Sequence, residues 1–90
     1  MRKSVRFTAY AKGKFVFLRE HGVQVDEALV IRTVQEPEHV SRGQQGWWVA
    51  QRQIDETHLL RVIYEDGPHE HVVVTFYPAR RKRYESAHEI

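Results

Sequence analysis

The chain has no cysteine. That excludes a disulfide framework, a thiolate zinc site and a cysteine nucleophile. No apolar run approaches the roughly 20 residues that a membrane-spanning helix needs, so no membrane partner is expected. The basic N-terminus lacks an apolar stretch behind it and a small-residue cleavage site. It does not read as a secretory signal, and the expected location is the cytoplasm. Proline and glycine number only three and five, with no linker, internal repeat or low-complexity segment among them. Also missing are a P-loop, a dinucleotide fingerprint, a Gly-x-Ser-x-Gly elbow and a His-Glu-x-x-His helix. Nucleotide-driven, hydrolase-triad and zinc-protease chemistry therefore have no support, and no cofactor is implied.

Ninety residues make a single domain, 1–90, with its core expected over about 4–85. At 41% hydrophobic and 29% charged the profile is that of a globular chain rather than a disordered one. The net charge of +2 hides an uneven distribution. Residues 2–14 carry Arg2, Lys3, Arg6, Lys12 and Lys14 and no acid. Residues 15–78 carry five arginines against ten carboxylates. Arg80–Arg81–Lys82–Arg83 is then basic again. Two basic ends around an acidic middle point to an anionic partner, if the ends meet in the fold. The plainer reading is a pair of solvated, solubilising tails.

Ser4–Val5–Arg6–Phe7–Thr8 alternates and predicts a short first strand, with Thr8 placed to cap a helix. Ala11, Phe15 and Leu18 then recur at helical spacing, and Gly22 stops that helix. Gly13 is a weak point inside it. Asp26 caps a second helix carrying Leu29, Val30, Thr33 and Val34, which must end before Pro37. Val40 starts an extended segment, and Gly43–Gln44–Gln45–Gly46 is a turn. Trp47 to Ile54, His58 to Glu65 and His71 to Tyr77 read as strands, the last apolar on both faces and hence central. Asp66–Gly67–Pro68 joins the last two, and Pro78 ends the third. Trp47 and Trp48, adjacent in a strand, should point to opposite faces, one into the core and one to a rim or interface. The predicted class is α+β, β-α-α-β-β-β, with two helices on one face of a four-stranded, mostly antiparallel sheet.

Three stretches carry a resemblance. They are Ala11–Lys12–Gly13–Lys14–Phe15–Val16–Phe17–Leu18–Arg19–Glu20–His21–Gly22, Glu36–Pro37–Glu38–His39–Val40, and Val74–Thr75–Phe76–Tyr77–Pro78–Ala79–Arg80–Arg81–Lys82–Arg83–Tyr84–Glu85. Together they resemble a domain-of-unknown-function family related to the RelE/BrnT-like toxins, small endoribonucleases of toxin–antitoxin pairs. The last stretch is the most specific. Tyr10 stands where that group often has histidine. The resemblance implies a RelE-like fold and a metal-independent endoribonuclease. RNA or the ribosome would be its target, and a small acidic antitoxin in the concave sheet face its inhibitor. It also implies catalytic Arg and Tyr near the end of the last strand.

A ribonuclease of this kind uses the RNA 2′-hydroxyl as nucleophile, so it needs a base, an acid and cations for the phosphorane. The candidate catalytic residues are Arg61, Arg80, Arg81 and Tyr84, and the candidate phosphate contacts Lys82, Arg83 and Lys14. Guanidinium groups bind phosphate bidentately and stay charged. Arg61 lies in mid-strand between Leu60 and Val62. If those two pack under the helices, Arg61 points into the concave face beside the C-terminal basic cluster. Its plainer role is an exposed arginine paired with a neighbouring acid. Lys82 or a histidine would carry the proton, but no general base stands out. His69 and His71 share a strand face without further ligands, so no metal site is expected, and His88 lies near the basic cluster. The alternative is a non-catalytic RNA- or protein-binding module on the same scaffold. A third reading is a homodimer through the exposed Trp and the central strand.

Overall fold

The computed structural model describes residues 3–82. The elements are β1 (Ser4–Phe7), α1 (Ala9–Glu20), α2 (Glu27–Gln35), β2 (His39–Arg42), β3 (Trp48–Gln53), β4 (His58–Asp66) and β5 (Glu70–Arg80), with one 3₁₀ turn at Gln44–Gly46. The class is α+β, as expected, but the sheet has five strands in the order β1-β5-β4-β3-β2. The extended segment at Val40 is a true strand, paired antiparallel with β3. The sheet is mixed, because β1 runs parallel to β5 while the other pairs are antiparallel.

Local chemistry starts and stops both helices. Thr8 caps α1 by accepting from the Ala11 N–H at 3.1 Å, and Asp26 caps α2 by accepting from the Leu29 N–H at 2.9 Å. Beyond α1, Gly22 adopts φ +76°, a left-handed value that favours glycine, and Val23 N–H returns to the Leu18 carbonyl. Ala11, Phe15 and Leu18 on α1 and Val30, Thr33 and Val34 on α2 are buried. They pack on Ala50, Leu60, Val62, Tyr64, Val73 and Phe76, all on one face of the sheet. Phe15 sits 4.6 Å from Phe76 and edge-on to Phe7, ring centre to ring centre. The buried Thr33 hydroxyl donates to the Leu29 carbonyl, so its burial leaves no unpaired group.

Two details depart from expectation. Pro78 does not end the last strand; β5 continues to Arg80, with Pro78 opposite Leu60. β1 pairs with β5 only as far as Val73, so among the described residues the rest of β5 borders no strand on that side. A residue without an N–H is tolerated on such an edge. Neither tryptophan is highly exposed. Trp47 closes the 3₁₀ turn, and Trp48 packs against the core with the Arg42 guanidinium 4.4 Å from its ring centre. At the β4–β5 turn, a Cβ on Gly67 would lie 2.9 Å from the Glu70 carbonyl oxygen, so only glycine fits without movement.

The Thr8 hydroxyl also donates to the Val74 carbonyl at 3.2 Å, while its N–H donates to Val73 at 3.0 Å. Thr8→Ala should therefore cost about 1–2 kcal/mol in urea unfolding. Thr8→Ser, which keeps the hydroxyl, should recover most of it.

Candidate functional site on the sheet face opposite the helices

The pleat sends alternate side chains away from the helices. Leu60 and Val62 face the core, so Arg61 between them faces the other way. Register then builds a row. His39 on β2 pairs with Gln51 on β3, Gln51 with Arg61 on β4, and Arg61 with Tyr77 on β5. Four polar side chains thus cross the sheet in single file, on strands roughly 4.8 Å apart.

The row is tied by hydrogen bonds. Arg61 Nε donates to the Tyr77 hydroxyl at 2.9 Å, and Arg61 Nη1 donates to Gln51 Oε1 at 2.7 Å. These two partners are neutral. They fix the plane of the guanidinium, and they satisfy the buried Gln51. Lys14 reaches the row from α1, donating from Nζ to the Thr75 hydroxyl at 3.2 Å. Two cations therefore flank Tyr77, with Lys14 Nζ and Arg61 Cζ 6.0 and 5.9 Å from its ring centre. His39 is placed by the segment after α2. The Glu38 N–H donates to the Gln51 carbonyl, and the Glu38 carboxylate accepts from the Gln53 N–H at 2.9 Å.

The row offers an imidazole, a guanidinium, a phenol and an ammonium on one surface. The Tyr77 oxygen accepts from Arg61, so its own proton can point at a ligand. These groups suit an anion with several oxygens, a phosphodiester above all.

Of the residues singled out from the sequence, Arg61 and Lys14 meet here. Arg80 does not join them. It lies opposite His58, three register positions beyond Tyr77, and the pleat puts it on the helix side. Arg81 closes the base of the hairpin, its N–H donating to the Thr57 carbonyl and its Nη1 to that of Glu56, each at 2.9 Å. Lys82 is exposed. Arg83, Tyr84, Glu85 and His88 lie outside the described residues. His39, Gln51, Thr75 and Tyr77 carry no sequence motif of their own. A glutamine amid the apolar residues of β3 was the one local signal.

Other charged clusters serve the frame. Asp55 Oδ1 gathers the N–H groups of Thr57 and His58 at 2.8 and 2.7 Å and faces His58 Nδ1 at 3.1 Å. The Thr57 N–H bond leads in holding the Asp55 carboxyl below its usual value. Asp66 binds Lys3 Nζ at 2.6 Å and lies 3.1 Å from His71 Nδ1. The Lys3 hydrogen bond leads in holding the Asp66 carboxyl low, against some desolvation. Burial, with the Asp66 charge second, pushes the Tyr64 phenol up. Among the described residues, no group of three or more His, Asp and Glu side chains is arranged to hold a metal ion. No helix among them is long and apolar enough to cross a membrane.

Compared with protein-family models, with curated proteins and with solved structures, the chain gives no match. Any function must therefore be inferred from the chemistry of the site itself.

A carboxyl held low in the fold adds stability above its ordinary value of 3.8, and that stability is lost as pH falls through the folded value. Asp66→Asn should lower the urea midpoint at pH 7. The gap from wild type should close as the pH is taken below 3.8.

Proposed function

We propose that this protein binds RNA on the sheet face turned away from the helices and cleaves it as a toxin-like, metal-independent endoribonuclease. The observation that carries the reading is the single file of His39, Gln51, Arg61 and Tyr77, joined by Lys14. The RNA's own 2′-hydroxyl attacks the adjacent phosphorus. The bond to the 5′-oxygen breaks, leaving a 2′,3′-cyclic phosphate and a 5′-hydroxyl. Arg61 and Lys14 offset charge on the crowded phosphorane. Tyr77 donates to a phosphate oxygen, and His39 is the imidazole on this face suited to move a proton. The sequence offered Lys82 or a histidine as proton carrier, and His39 takes that role here. An acidic partner chain laid over the row would block it, the role of the antitoxin in that resemblance.

The reading is tested on purified protein with a labelled single-stranded RNA, following cleavage and binding separately. Arg61→Ala and His39→Ala should each slow cleavage by about 100-fold or more. His39→Ala should leave binding largely intact, and Tyr77→Phe, which keeps the ring, should reduce cleavage with the fold unchanged by circular dichroism. Affinity should fall steeply with salt. Salt-sensitive binding without cleavage would establish the non-catalytic module instead. No binding at all would remove RNA from the reading.

A further inference from the structure

The outer side of α1 exposes two large aromatic residues, Tyr10 at 69% and Phe17 at 55%. They lie two helical turns apart on one side, with Gly13 and Lys14 between them. A cleft of about 440 Å³ opens there, lined by Ala9, Tyr10, Gly13, Lys14 and Phe17.

Nothing in the fold asks for glycine at position 13. Its φ is not positive, and an added Cβ would meet nothing within 4 Å. Glycine is nevertheless the poorest ordinary residue for a helix interior. Its effect is to leave the floor between the two rings bare. Lys14 belongs both to this cleft and to the row on the sheet, through its bond to Thr75 and its place beside Tyr77. Lys14 is the cation of the lining; at about 100° per residue Lys12 and Arg19 fall on the far side of α1.

A flat apolar slot beside a phosphate-binding cation is the pattern of a nucleotide site. We propose that the cleft between Tyr10 and Phe17, floored by Gly13, takes an unpaired base of the RNA strand whose phosphate lies on Lys14, Arg61 and Tyr77. The proposal rests on the RNA reading above and narrows it to single-stranded substrate. A base must leave its stack and its partner to enter such a slot. Charge decides the occupant, because a purely apolar partner would gain nothing from Lys14 in the lining.

The test compares two fluorescein-labelled eight-mers by anisotropy at fixed salt. One is oligodeoxyuridine and the other a chain of abasic tetrahydrofuran sites. Neither has the 2′-hydroxyl, so neither is cleaved. Wild type should prefer the base-bearing probe by about tenfold or more. Gly13→Leu fills the cleft with a good helix former and should bring the ratio close to one, leaving abasic binding unchanged. Phe17→Ala should act in the same direction. Equal binding of both probes by wild type, or an unchanged ratio in Gly13→Leu, would overturn the base slot and leave the RNA reading standing. Failure of both probes to bind would overturn the slot, and failure of the labelled RNA to bind as well would sink the RNA reading with it. A wild-type dimer that Gly13→Leu dissociates, with the ratio unmoved, would make a second copy the occupant and also overturn the proposal.

Discussion

Thr8 is the joint on which the rest of the molecule turns. Its N–H continues the β1–β5 pairing onto Val73, and its hydroxyl donates to Val74 while accepting from the Ala11 N–H. Its carbonyl accepts from the Lys12 N–H, the first turn of α1. One residue thus ends a strand, starts a helix and ties both to β5. Everything that α1 presents depends on that anchor. Phe15 meets Phe76 on one side of the sheet, and Lys14 reaches Thr75 on the other. A helix begun one residue later would be turned by about 100°, and Lys14 would no longer reach β5.

The second constraint is the irregularity of β5 opposite Ile63 and Tyr64. Val73 pairs with Tyr64 and Thr75 with Ile63, so Val74 is the extra residue. Val73 and Phe76 are both buried in the core, yet strict alternation would put residues three apart on opposite faces. The bulge resolves the conflict. It also turns Thr75 and Tyr77 to the face away from the helices, where Arg61 lies. Bulges that re-aim side chains beside a working surface are common. Here a single extra residue lets one strand serve the core at Val73 and Phe76 and the site at Tyr77.

The energetics of Arg61 depend on its neighbours. A half-buried guanidinium in mid-strand would be costly without partners. Gln51 and Tyr77, both neutral, accept two short hydrogen bonds from it. They fix the guanidinium at the centre of the row. Carboxylates are used where the frame needs them, Asp55 at the β3–β4 turn and Asp66 where Lys3 clasps the hairpin. The acidic middle of the chain is thus partly consumed in holding loops.

Much of the frame was legible from residue order alone. Thr8 and Asp26 as caps, the buried stripes of both helices, the Gly22 stop and the alternation that turns Arg61 away from the core are local facts. Each is decided by one residue's neighbours within a turn or two of chain. The partners of Arg61 were not legible. Whether Gln51 and Tyr77 flank it depends on the register of two hairpins, on a bulge at Val74 and on a fifth strand at His39–Arg42. Those are contacts between residues distant in the chain, and they are settled by which side chains fill the core. Arg80 shows the same limit: like Arg61 in charge, it is carried to the helix side by strand parity. Composition and periodicity determined that this chain makes two capped helices over a sheet with cations to spare. Tertiary packing alone decided which of those cations share a face, because the pleat multiplies a one-residue shift in register into a change of side.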